Sequence, residues 1–237
     1  MVMNRSEDAV QEASSGYMTD ERRMIQEVAR DFTMKEVLPV ANELDPVQGD
    51  IPMELREKMG EMGYFGIRIP EEYGGLGLGV FEYCLIAEEL ARGWMSVASI
   101  IARAGGVMGV VGWPLEKRIE LTKKAAKGEY LAAVALSEPD AGSDLANVSC
   151  RAVLDGDEWV ITGSKYWCTF ADGADYIQVL CRVDSDKKSR GRGLRSFVVE
   201  KNRGELPANV HGSPIPKIGY FGWKTYELAF DECRIPK

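Results

Sequence analysis

One short stretch concentrates side chains that could do chemistry. ALSEPDAGSD, from Ala135 to Asp144, is an apolar run that stops at the hydroxyl of Ser137. It turns at Glu138-Pro139 and ends in a small-residue Gly142-Ser143-Asp144 knot. A hydroxyl, a rigid bend and a bare backbone so close together fit two readings. The plainer is a strand end with a tight turn. The sharper is a place where backbone groups and hydroxyls meet a flat polar ligand. Glu138, Asp140 and Asp144 have the chemistry of general acids, but they read as turn-makers, because Asx and ST hydrogen bonds fix loops of this kind.

Other familiar constellations are missing or weak. The five cysteines, Cys84, Cys150, Cys168, Cys181 and Cys233, are scattered, odd in number and without a CxxC pair. That usage suits a reducing compartment, the cytoplasm, and argues against a disulfide framework or a zinc site. His211 is the only histidine, so any Ser-His or Cys-His pair must use it; in VHGSP it reads as an exposed loop residue. EEYGGLGLGVF does not spell GxGxxG and follows a helical pattern, so it reads as a flexible interhelical loop. KKSRGRGLR, from Lys187 to Arg195, is a basic run of the kind that tips a solvated hairpin. HExxH, a P-loop and GxSxG do not occur.

The elements that must position these residues come in two kinds. The chain of 237 residues is 45% hydrophobic and 28% charged, the balance of a folded protein with a buried core. Its net charge of −8 disfavours a nucleic-acid partner. No membrane span is expected either, because Arg103 and several glycines interrupt SVASIIARAGGVMGVVGWPL, which reads as a buried helix. Up to Gly128 the code is helical. Met24, Ile25, Val28, Ala29 and Phe32 fall at helical spacing, with Thr19 as a cap. Leu55, Met59 and Met62 repeat the pattern before Gly63, and PLEKRIELTKKAAKG ends at Gly128. Beyond that point YLAAVAL, VSCRAVL-DGDE-WVITGSKYWCTF, DYIQVLCRV, LRSFVVE and TYELAFDECRI read as strands, with DGDE as a hairpin turn. Helices followed by strands define an α+β chain. The expected organisation is a disordered tail over 1–17, a helical domain over 18–128 and a β-barrel-like domain over 129–237.

Several stretches together resemble one family. GYFGIRIPEEYGGLGLG is similar to the loop between early helices of acyl-CoA dehydrogenases. LSEPDAGSD resembles the family's flavin-contacting motif, with Ser137 where Thr is usual, and DGDEWVITGSKYWCTF resembles its second flavin segment. YELAFDECRIP resembles the strand leading out of the middle domain. The resemblance, over roughly residues 18–237, implies noncovalent FAD held by Val134, Ser137, Gly142, Ser143, Trp167, Cys168 and Thr169. Ser143 would also meet the acyl-CoA. It implies fatty acid metabolism, a homo-oligomer or partner chain, and electron-transferring flavoprotein or a similar acceptor. A reduced flavin gains negative charge near N1 and the C2 carbonyl, and neutral donors such as the Ser137 and Thr169 hydroxyls would stabilise it. Gly142 would allow close backbone approach and Trp167 would exclude water.

One departure matters. Family members carry a further C-terminal helical domain that supplies the glutamate base, and this sequence stops at CRIPK, where that domain begins. No catalytic residue is therefore assigned within the chain. The expected activity is α,β-dehydrogenation of an acyl-CoA to a 2-enoyl-CoA, with the hydride acceptor here and the base elsewhere. A fragment of a longer enzyme is the favoured expectation; completion by a second chain is the other enzymatic route. The alternatives are a flavin-dependent oxidase or monooxygenase on the same scaffold, or a non-catalytic flavin, acyl-CoA or interaction module.

Overall fold

The structure, a computed structural model, describes residues 16–184 and 191–237. Most of the N-terminal tail and the basic run from Lys187 to Arg190 lie outside the described residues. Helices come first and a curled β sheet follows, the α+β order expected from the change of code near Gly128.

Helix α1, Asp20–Phe32, opens where Thr19 accepts a hydrogen bond from the Arg22 amide, with Asp20 and Glu21 at the positive end of the dipole. It passes through a π-helical turn, Thr33–Val37, into α2, Leu38–Leu44. α3 is Met53–Glu61, α4 Val80–Gly93, α5 Met95–Ile100 and α6 Leu115–Ala126. The long apolar run after α4 is not one helix. It forms α5, then two short 3-10 turns at Ile101–Ala104 and Val107–Gly109. Gly105-Gly106 separates them, with Gly106 at a φ of 99°, a left-handed value that ends helical propagation. The glycine-rich loop is also more ordered in its bonding than a free linker: Leu76, Gly77 and Leu78 donate their amides to the carbonyls of Gly66, Ile69 and Ile67.

One buried carboxylate joins α1 to α4. Glu89 is fully buried and accepts from Gln26 Nε2 at 3.0 Å, Arg30 Nη2 at 2.8 Å and Arg92 Nε at 3.0 Å. The apolar period of α1 meets this layer through Ala29 and Phe32, while Met24 and Val28 of the same pattern stay exposed.

The β part contains β1 Ala132–Ala135, β2 Arg151–Asp155, β3 Glu158–Thr169, β4 Tyr176–Arg182, β5 Leu194–Glu200, β6 Val210–Pro214 and β7 Thr225–Pro236. The sheet runs β1-β4-β2-β3-β7-β6, with β5 on β4. β1 and β4 are parallel; β2 and β3 form the hairpin expected at DGDE, with Asp155 opposite Glu158. His211 is not in a loop: it is an exposed residue of β6, opposite Ala229 of β7. A continuous apolar core links the two parts, from Ala29 and Leu90 through Ile100 and Phe170 to Phe230. Among the described residues no helix is long and apolar enough to cross a membrane.

Replacing Glu89 by Ala should lower the unfolding free energy by about 1–2 kcal/mol, because the two arginines keep access to water. A lower urea midpoint with an unchanged slope would register it. The hydrogen bond from Arg30 holds the Glu89 carboxyl below the usual carboxylate range, against its desolvation. Its contribution is therefore present above the unfolded-state value of about 4.3 and is lost as pH falls through the lower folded value. The stability gap between wild type and variant should close on acidification; a gap that stays constant into strong acid would exclude this role.

Candidate functional site

The two sequence segments singled out above lie next to each other. β1 ends at Ala135, and the loop after it returns to β3, where the Tyr166 amide donates to the Ser137 carbonyl at 2.8 Å. The loop closes on itself through Glu138 and Ala141, each donating its amide to the other's carbonyl, with Pro139 and Asp140 exposed at the corner. Asp144 is the turn-maker expected, accepting from the Asn147 amide at 3.1 Å through its carbonyl and from Asn147 Nδ2 through its side chain.

β3 is irregular where it meets this loop. Its pairing with β7 shifts between Lys165, opposite Leu228, and Cys168, opposite Tyr226, so one extra residue is accommodated on β3. Trp167 lies inside this bulge with a φ of 63°. A bulky residue at positive φ is strained, and bulges re-aim side chains. Here the result is an indole 55% exposed, with its ring edge-on to Tyr166 at 4.9 Å.

The remaining predicted site residues divide by the direction they face. Val134 and Ser137 are half-buried, and Gly142 and Ser143 are exposed. Nothing lies within 4 Å of a Cβ placed on Gly142, so packing does not demand glycine there. Thr169 is half-buried, its Oγ1 3.1 Å from Oγ1 of Thr225 on β7. Cys168 turns the other way. It is fully buried, and burial pushes its thiol up to about 12, so only its backbone can serve a ligand on the outer face.

Sequence reasoning missed what lies underneath. Lys165 is buried, its Nζ 2.9 Å from Leu136 O and 2.9 Å from Glu138 Oε1. Glu138 is more than a turn-maker: its carboxylate also accepts from the Ser149 amide at 2.7 Å, the Ser149 hydroxyl at 3.0 Å and the Cys150 amide at 2.8 Å. Burial opposes ionisation of Glu138, but the Lys165 ammonium and the two amides outweigh it and hold the carboxyl below its usual range. The available signal was alternation in β3. Lys165 falls among inward positions with Ile161 and Cys168, where an unpaired ammonium is not tolerated.

Comparison with known proteins places the chain in a family. Residues 19–138 match the family model for the acyl-CoA dehydrogenase N-terminal domain, and residues 133–233 match that for the middle domain. The chain belongs to the acyl-CoA dehydrogenase family, whose members are FAD-dependent. It is similar to (2S)-methylsuccinyl-CoA dehydrogenase of Cereibacter sphaeroides, 36% identical over 225 residues, covering 92% of this chain and 41% of that protein. Among solved structures, an acyl-CoA dehydrogenase from Geobacillus kaustophilus superposes with a TM-score of 0.81 at 31% identity, covering 93% of this chain and 58% of that one. A glutaryl-CoA dehydrogenase from Mycobacterium smegmatis in complex with FADH2 gives 0.79 at 25% identity, covering 93% and 55%. The chain spans about half the length of the curated relatives it matches.

The thiols offer a check on which side chains face out. Cys84 is exposed, while Cys150, Cys168, Cys181 and Cys233 are buried and free. Titration of the native protein with a chromogenic disulfide should show one fast thiol, lost in Cys84→Ser, and the other four only on unfolding. A fast reaction at Cys168 would mean that this segment of β3 is turned the wrong way.

Proposed function

We propose that this chain holds FAD and forms the hydride-acceptor side of an enzyme that converts an acyl-CoA thioester to its 2-enoyl-CoA. The observation that carries the reading is the hydrogen bond between Tyr166 N and Ser137 O, which sets the Ser137–Ser143 loop beside the Trp167–Thr169 segment. Family membership and a relative solved with FADH2 support the choice of ligand.

The residues fit such a group on their own chemistry. A flat ring system needs an apolar face, and an exposed Trp167 held in a strained bulge offers one. Its polar edge needs neutral donors. The Ser137 hydroxyl makes no hydrogen bond to the described residues, and the Thr169 hydroxyl can accept from Thr225 and donate outward. Gly142, free of packing demands, lets a ligand approach the backbone, with Ser143 next to it for ligand or acyl-CoA. Val134 and the Cys168 backbone complete the set. Bound there, FAD supplies an acceptor for hydride from the substrate's β-carbon. The protein's part is to bind and orient that ring, exclude water from one face and hold donors where negative charge develops. The α-proton goes to a carboxylate that we place outside these residues.

This reading keeps the division into a helical domain over 18–128 and a β domain over 129–237. It assigns electron-transferring flavoprotein or a similar carrier as electron acceptor, and a homo-oligomer as the working form. We place the enzyme in the cytoplasm, where its unpaired cysteines stay reduced.

The purified chain should take up FAD stoichiometrically, with Trp167 emission quenched on binding. Trp167→Ala should reduce that quenching, and Ser137→Ala and Thr169→Val should each weaken binding by about 1–3 kcal/mol. Uptake that ignores all three substitutions would move the flavin elsewhere; no uptake by the wild-type chain would leave it a non-flavin module. Rapid reoxidation by oxygen after photoreduction would favour an oxidase.

A further inference from the structure

Lys165 and Glu138 form a buried charge pair directly under the surface just described, at 0% and 6% side-chain exposure. Neither carries the reading above, yet beyond each other their partners are mostly backbone groups of neighbouring segments. The two acceptors of the Lys165 ammonium are Leu136 O and Glu138 Oε1, which flank Ser137 on either side. The carbonyl between them, Ser137 O, is taken by the amide of the next residue of β3, Tyr166. Consecutive residues of the loop are thus tied to consecutive residues of the strand. The Glu138 carboxylate also reaches the amides of Cys150, through the same Oε1, and Ser149, through Oε2, just before β2. The knot therefore joins the end of β1, the approach to β2 and β3 at the start of the Trp167 bulge.

An ammonium is an expensive way to fill a core. An apolar side chain of similar size would avoid the desolvation, and buried ion pairs replaced by such residues often leave stability unchanged or higher. What an apolar replacement cannot do is fix the distance between two backbone segments through directed hydrogen bonds. The pair also cancels its own charge, so it can lie beneath a ligand without imposing a formal charge on it.

Resting on the flavin reading, we propose that Lys165 is a positioning residue. With Glu138 as its counter-charge, it locks the Ser137 loop to the Trp167–Thr169 segment before ligand arrives, so that both grip the same ring system.

The test compares the wild-type chain, Lys165→Met and Lys165→Met/Glu138→Gln. The double variant removes both charges together and guards against a single variant that does not fold. Melting and circular dichroism establish folding, and FAD titration gives Kd. The two-electron potential and the fine structure of the bound flavin spectrum report how the ring is held. Folded variants should bind FAD about tenfold or more weakly, with the potential moved toward that of free flavin and the fine structure blurred. A folded variant with wild-type Kd, potential and spectrum would overturn the proposal and reduce Lys165 to a packing residue. Hydrogen exchange on the wild-type chain supplies the second measurement. The amides of Tyr166, Ser149 and Cys150 should be protected without FAD; protection that appears only after FAD binds would mean that no lock is preformed, whatever the variants do. A wild-type chain that binds no FAD would sink the flavin reading itself, a result distinct from unchanged binding in the variants.

Discussion

The candidate site depends on a contact between two segments distant in sequence, the Tyr166 amide to the Ser137 carbonyl. β1 lies at one end of the sheet path and is parallel to β4, so nothing in strand pairing alone brings its C-terminal loop to β3. The hydrogen bond ties that loop to β3. A curled sheet has an inner face, filled here by Ile161, Cys168, Ile177, Val179 and Cys181, and an outer face on which a bulge can present a large side chain. Bulge and exposed indole follow from the same local departure from regular pairing.

The helical layer buttresses that geometry. The Ile51 amide donates to Gly222 O at 2.7 Å, and the Ser96 hydroxyl donates to Phe221 O, so the segments before α3 and within α5 grip the chain just before β7. Gly222 sits at a φ of 106°, and a Cβ there would lie 2.8 Å from that of Ser96, so the approach requires glycine. From this anchor β7 runs along β3 and delivers Thr225 to Thr169. The helices thus position one of the candidate hydroxyls, Thr169, from a distance, through the strand that pairs with it.

Legibility in the sequence followed the range of the interactions. Helix α1, its Thr19 cap and the β2–β3 hairpin rest on local rules, and all appear where period and turn chemistry put them. The helix expected across Ser96–Val111 failed because two adjacent glycines outweighed a favourable apolar composition. His211 was misplaced because a Gly-Ser-Pro sequence reads as a turn, yet an edge strand tolerates Pro214 at its end. The hydroxyls and Trp167 could be nominated by residue type and family likeness. The strain at Trp167 and the inward course of Cys168 could not, because both depend on a register shift against a strand nearly sixty residues later.

On the flavin reading, charge gives a reason for a candidate site built from neutral groups. The side chains of Ser137, Thr169 and Trp167 add no formal charge, and the charges of Lys165 and Glu138 beneath them cancel within one ion pair. A fixed positive charge at the surface would bind an anionic ligand tightly in every state, including the product state. Neutral donors respond mainly when negative charge develops, so their stabilisation is greatest where a reaction needs it. That logic requires the donors to be held still, since a hydroxyl free to reorient loses to solvent reorganisation what it gains in attraction. A rigid knot of buried hydrogen bonds under a surface of neutral donors is the arrangement that satisfies both demands, and β3 supplies its two halves from adjacent residues, Lys165 and Tyr166 facing the loop and Trp167 facing out.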